Sequence, residues 1–126
     1  MTKQRISIVI ADDNDVMRSV LRAMLRGEEY DVIGEASNGV VAVDLAGRLK
    51  PDIVCLDVMM PEKNGIEALC EIKSTLPDTE VVMVTSSSDP ATVQESIQNG
   101  ASGYIIKPFN AARVLDTLAR VATRIR

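Results

Sequence analysis

With 126 residues, 46% of them hydrophobic and 25% charged, the chain has the size of one ordinary domain and can bury a core without disulfides or a structural metal. A net charge of −4 and only three aromatic residues, Tyr30, Tyr104 and Phe109, argue against direct nucleic-acid binding, which calls for a basic face and stacking rings. Histidine is absent. That excludes a histidine-based catalytic triad and a Cys–His zinc site, and the chain cannot itself be a phosphohistidine donor. Cys55 lies in an apolar run and Cys70 in a helical pattern, so both read as buried thiols. The first apolar run, Ile6 to Ala11, is too short for a signal peptide and leads straight into charge. No run approaches the roughly 18 apolar residues of a membrane span. A cytoplasmic location without membrane insertion is expected.

The first element, Ile6-Ser7-Ile8-Val9-Ile10-Ala11, is a β-branched, buried strand. From Asn14 onward, Met17, Val20, Leu21, Met24 and Leu25 fall on one face of a helix that stops at Gly27. Tyr30 to Ala36 is a weaker strand. Asn38 and Gly39 open a second helix through Leu49, ended by Pro51. Asp52 to Asp57 is the clearest strand. Its apolar middle suits the centre of a parallel sheet. A loop from Val58 to Asn64, with Pro61 inside it and Gly65 after it, precedes a third helix marked by Ile66, Leu69, Ile72 and Leu76. Val81 to Val84 is the fourth strand. Asp89-Pro90 starts a short, weakly amphipathic helix ending at Asn99-Gly100. Ser102 to Ile106 is the fifth strand, and Asn110 caps a last helix with the stripe Val114, Leu118, Val121 and Ile125. Alternation of this kind predicts a (βα)5 α/β fold: an open, doubly wound parallel sheet, since a barrel needs eight such units. Residues 1–126 are expected to form a single domain.

In open α/β sheets the ligand site lies beyond the carboxyl ends of the strands. Those ends carry Asp12 and Asp13, Asp57, Thr85 and Lys107. Three carboxylates in one crevice repel each other and call for a cation. An all-oxygen donor set suits Mg²⁺ rather than zinc or copper. One Mg²⁺ and the Lys107 ammonium would balance the three acids. Aspartate is also a covalent phosphoryl acceptor, and transfer then depends on positioning and charge stabilisation. Any one of these residues alone could be a cap, a turn residue or a solvated side chain. Their joint occurrence on one sheet edge points to chemistry.

Asp12-Asp13 after strand 1, Asp57-Val58-Met59-Met60-Pro61 with Gly65 after strand 3, Thr85 after strand 4 and Lys107-Pro108-Phe109 after strand 5 resemble the receiver domain of bacterial response regulators. The likeness spans roughly residues 4 to 124 and is greatest to single-domain chemotaxis-type (CheY-like) regulators. It implies a flavodoxin-like five-stranded sheet ordered 2-1-3-4-5. It implies that Asp57 accepts a phosphoryl group from a sensor histidine kinase or phosphotransfer protein. Asp13, Asp57 and the Met59 carbonyl would ligate Mg²⁺ directly, and Asp12 mainly through water. Lys107 would pair with the phosphoryl group, across a cis peptide to Pro108. Thr85 would move inward to bond that group and Tyr104 would follow from an outward to an inward rotamer, although Tyr104 also reads as plain packing. The face of helix 4, strand 5 and helix 5 would then control a downstream protein, with motility a guess from the single-domain form. Met59 and Ser87 occupy the positions that tune dephosphorylation. A monomer is expected, with a phosphorylation-linked dimer as the alternative.

Three other readings compete. A Mg²⁺-dependent aspartyl-phosphate phosphohydrolase of the haloacid-dehalogenase type would want an Asp where Met59 stands. A nucleotide- or flavin-binding domain would want a glycine-rich loop in place of Asp12-Asp13-Asn14-Asp15. A receiver-shaped scaffold that is never phosphorylated would not need the acidic set intact.

Overall fold

The computed structural model describes residues 5–125. Strands β1 (Ile6–Ala11), β2 (Tyr30–Ala36), β3 (Ile53–Leu56), β4 (Glu80–Thr85) and β5 (Gly103–Ile106) alternate with helices α1 (Asp15–Leu25), α2 (Gly39–Leu49), α3 (Gly65–Thr75), α4 (Pro90–Gln98) and α5 (Ala111–Ala122). All strand pairs are parallel, in the order β2-β1-β3-β4-β5. The doubly wound architecture expected from the sequence is the one observed. Among the described residues no helix is long and apolar enough to cross a membrane.

Each helix starts just past a strand and is capped by a short polar side chain. Asn14, Asn38, Asn64 and Asn110 accept a backbone N–H from the third residue onward, and Asp89 caps α4 with Pro90 next to it. These bonds satisfy donors that the first helical turn cannot pair internally. Asn64 and Glu67 complete a reciprocal capping box. The helix starts therefore all lie at the carboxyl edge of the sheet.

Alternate strand residues feed two cores. Val9, Val54, Leu56, Val81 and Met83 pack with Ala42, Ala46, Leu69 and Ile72 of α2 and α3. Ile8, Ile10, Ile53, Cys55, Val82, Val84 and Ile105 pack with Leu21, Leu25, Val114 and Leu118 of α1 and α5. Every residue of β3 is buried. At about 1.5–3 kcal/mol for each large aliphatic side chain taken out of water, this central strand is the best-anchored element.

Two expectations need correction. Cys55 is buried, but Cys70 is exposed. On α3 the buried face is made by Ala68, Leu69 and Ile72, and Cys70 follows Leu69 by one position, which turns it about 100° away from the core. On α1, Leu21 and Leu25 carry the burial, whereas Val20 lies at the rim, 36% exposed. The helix α4 is the most loosely held. Ser96 is its one buried residue, and its hydroxyl donates back to the Thr92 carbonyl at 2.9 Å.

Candidate functional site

Parallel pairing sets β1, β3 and β4 side by side, so the residues that follow them meet. Asp57 N donates to the Ala11 carbonyl at 3.0 Å, which fixes Asp57 beside Asp12. Carboxylate oxygens of Asp12, Asp13 and Asp57 all lie within 4.8 Å of one another. Asp12 and Asp57 are buried and Asp13 is exposed, so the cluster has two sunken acids and one at its mouth. The donor set is oxygen only, which fits a hard divalent cation.

Lys107 reaches in from the end of β5. Its Nζ lies 2.7 Å from Asp12 Oδ2 and 3.2 Å from Asp57 Oδ2. Burial alone would lower the lysine pKa. The hydrogen bond it donates to Asp12, the charges of Asp57 and Asp12, and the weaker bond it donates to Asp57 together outweigh it and leave the pKa raised. The ammonium is thus held charged between the two acids. The Lys107–Pro108 peptide is cis.

The loop after β3 is pinned at both ends. A Cβ on Gly65 would stand 2.1 Å from the Asp57 carbonyl oxygen, and one on Gly39 would stand 1.9 Å from the Lys63 carbonyl oxygen. Only glycine lets α3 start against the Asp57 backbone. Gly65 N also donates to the Val58 carbonyl at 2.8 Å. Within the loop, Met59 N donates to Asp57 Oδ1 at 3.3 Å, while the Met59 side chain is 69% exposed.

Thr85 is fully buried at the end of β4, next to β3 through the Leu56–Met83 pairing. Its hydroxyl accepts from Ser87 N at 3.3 Å, and its carbonyl accepts from Lys107 N at 2.9 Å. The Ser87 carbonyl in turn accepts from the Tyr104 hydroxyl at 2.8 Å. A short hydrogen-bonded path thus runs from Thr85 through Ser87 to Tyr104, which is half-buried on β5.

The geometry also brings forward residues that sequence reasoning passed over. Asp12 Oδ1 accepts from Asn14 N at 2.9 Å, so the first residue of the α1 cap holds the carboxylate. Arg18 donates to the Asp12 carbonyl and to Asp15, and pairs with Glu35 of β2 at 3.2 Å. Arg22 pairs with the same Glu35. Arg18 is one turn into α1, on the side facing the neighbouring strand. Its position relative to Asp15 was readable in the sequence, but Glu35 became its partner only through the β1–β2 pairing.

The family model described as the response regulator receiver domain matches residues 8–119. The chain belongs to the response regulator receiver family. It is 38% identical to the chemotaxis protein CheY of Listeria monocytogenes, over 93% of this chain and 98% of that protein. It is 41% identical to the transcriptional regulatory protein LnrK of Bacillus subtilis, over 92% of this chain but 53% of that longer protein. Among solved structures it resembles a complex of CheX and CheY with beryllofluoride and magnesium from Borrelia burgdorferi. The TM-score is 0.90 at 28% identity, covering 93% of this chain and 89% of the matched chain. As a receiver, the chain is a phosphorelay signalling protein, similar to nearly the whole of some regulators and to about half of a longer one.

Proposed function

We propose that Asp57 is the phosphoacceptor of this receiver, and that its chemistry is limited to its own phosphorylation and dephosphorylation. The observation that carries the reading is the buried Asp57 carboxylate, with Asp12 and Asp13 oxygens within 4.8 Å and the Lys107 ammonium at 3.2 Å. An Asp57 oxygen attacks the phosphorus of a phosphohistidine on a sensor kinase or phosphotransfer protein. The P–N bond breaks, the imidazole leaves, and an acyl phosphate remains on Asp57. Asp13, Asp57 and the Met59 carbonyl would hold Mg²⁺ directly, with Asp12 acting through water; when bound, the ion neutralises phosphoryl charge. Lys107 then exchanges its bond to Asp57 for one to a phosphoryl oxygen, and Thr85 gives up Ser87 N–H to bond another. Because Tyr104 is tied to Ser87, rearrangement at Thr85 reaches the α4–β5–α5 face, a two-state element biased by a local charge event.

The single receiver unit is proposed to act in the cytoplasm as a monomer, on a downstream protein rather than on nucleic acid. The likeness to stand-alone chemotaxis proteins supports motility as the first pathway to test. Incubation with Mg²⁺ and acetyl phosphate should add one phosphoryl mass to the wild type and none to Asp57→Ala. Equal modification of the two proteins would overturn the assignment.

A further inference from the structure

The turn between β2 and α2 supplies no candidate ligand, yet it touches both halves of the acidic site. Its sequence is Ala36-Ser37-Asn38-Gly39. The Ala36 carbonyl accepts Asp12 N–H at 3.0 Å, which fixes the backbone of the Asp12-Asp13 pair. Asn38 caps α2 by accepting Val41 N–H at 2.9 Å. Gly39 is then the first residue of α2, and it is buried. Within a helix glycine is worse than alanine by roughly 1 kcal/mol. The φ of Gly39 lies outside the left-handed region, so the backbone conformation does not require glycine. The space does. An added Cβ would stand 1.9 Å from the Lys63 carbonyl oxygen and 2.6 Å from the Lys63 carbonyl carbon. Both are backbone atoms, so no change of rotamer relieves the overlap.

Lys63 belongs to the loop that carries Met59, and this loop has little slack. Lys63 N donates to the Pro61 carbonyl at 2.8 Å, across Glu62 at a φ of +70°. A bond closed over one residue at positive φ is the strained γ-turn, which glycine accepts and other residues resist. Val58 and Met60 are buried in the same core as Ala42 of α2. The Lys63 side chain pairs with Glu71 of α3, and Gly65 N closes the loop on the Val58 carbonyl. A push on the Lys63 backbone is therefore passed along the loop toward Met59 rather than absorbed.

We propose that Gly39 is a positioning residue: it sets the spacing between the Asp12-Asp13 pair and the Met59 carbonyl, and with it the preference of the site for Mg²⁺ over a larger divalent cation. The inference rests on the receiver reading, in which that carbonyl is a metal ligand. The β2–α2 turn works as a spacer, bonded to Asp12 at one end and in contact with Lys63 at the other. Mg²⁺ demands near-octahedral geometry at about 2.0–2.1 Å, whereas Ca²⁺ accepts about 2.3–2.6 Å in flexible arrangements. A real Cβ keeps 3.0 Å or more from such atoms, so any side chain at position 39 displaces the loop by about 1 Å. A shift of that size costs Mg²⁺ more than Ca²⁺, whichever way the loop moves.

The test titrates Mg²⁺ and Ca²⁺ separately into the full, unphosphorylated, isotope-labelled chain. The Asp13 and Met59 amides report occupancy and thermal melting reports stability. Gly39→Ala should weaken Mg²⁺ binding roughly tenfold, the scale seen when supports behind metal ligands are lost, and Ca²⁺ binding much less. The ratio of the two affinities therefore falls several-fold. An unchanged ratio, including equal weakening of both ions, would overturn the proposal, since a merely structural role moves both alike. If Gly39→Ala does not fold, Glu62→Gly decides. It accepts the turn without strain and folds, but it gives the loop slack, so the ratio should again fall. Glu62→Gln, which removes the charge and keeps the strained turn, should hold the wild-type ratio. A wild-type ratio in Glu62→Gly, or an equal fall in Glu62→Gln, would overturn the spacer. Failure of wild-type Mg²⁺ to shift the Asp13 and Met59 amides would instead sink the metal-site reading beneath it.

Discussion

Lys107 Nζ stands nearer to Asp12, at 2.7 Å, than to Asp57, at 3.2 Å. The lysine is anchored on Asp12 and leans toward Asp57, the proposed nucleophile. It therefore needs little displacement to meet a phosphoryl oxygen on Asp57 while keeping its bond to Asp12.

Lys107→Met should leave Asp12 and Asp57 as buried, uncompensated carboxylates, at a cost of about 3 kcal/mol. Chemical denaturation should show that loss without Mg²⁺ and partial recovery with it. The pH dependence has a definite sign. The folded pKa of Lys107 is raised, so its stabilisation is fully present below the ordinary lysine pKa and is lost as pH climbs through the folded value. Melting curves from about pH 10 to about pH 12 should fall more steeply for the wild type than for Lys107→Met. Parallel curves would show that the ion pair does not stabilise the fold.

Gly65→Ala would force a Cβ to 2.1 Å from the Asp57 carbonyl oxygen. Either α3 retreats or the Asp57 backbone moves. Unfolding free energy should drop by roughly 3–5 kcal/mol, and acetyl phosphate labelling should slow in whatever fraction remains folded. A variant with wild-type stability would disprove the close approach.

Arg18 ties the Asp12 carbonyl to Glu35, across from β1 to β2. It is a positioning residue, since it donates to backbone behind the carboxylate. Arg18→Met should weaken Mg²⁺ binding about tenfold, the scale seen when supports behind metal ligands are removed. Melting temperature should change little. Arg18→Lys should recover only part of the affinity, because an ammonium cannot make the same fork of bonds. Unchanged Mg²⁺ affinity in Arg18→Met would rule the role out.

Burial pushes the Cys55 thiol up to about 12, whereas Cys70 is exposed. A thiol-specific chromogenic reagent near neutral pH should react with one thiol per folded chain. Cys70→Ser should abolish that reaction and Cys55→Ser should leave it. Two reactive thiols in the folded protein would contradict the packing of β3.

Met59 offers no polar group to orient an attacking water, and Ser87 only a short one. The acyl phosphate should therefore be long-lived, and Met59→Asn should shorten its lifetime several-fold in a phosphate-release assay. An unchanged lifetime would remove Met59 from the control of the signal.

Most of the scaffold was legible because its signals are local. Asn14, Asn38, Asp89 and Asn110 each announce a helix start, and β-branched runs announce the strands between them. The acids and Lys107 could be grouped because parallel connections bring every strand's carboxyl end to one edge. What stayed hidden depended on partners far apart in sequence or on orientation within an element. Glu35 behind Arg18 needed the β1–β2 pairing. The exposure of Cys70 turned on a single position around α3.

Strand β3 divides its side chains between both cores, Val54 and Leu56 on one side and Ile53 and Cys55 on the other. Its amides should exchange with deuterium only when the whole molecule unfolds, whereas the loosely held α4 should exchange through local opening at a small fraction of that free energy. On that expectation Asp57 is mounted at the end of the segment with the slowest clock in the protein, and the elements proposed to change shape around it keep much faster ones. A phosphoryl group written on Asp57 can be read many times by those fast elements before the strand beneath it opens once.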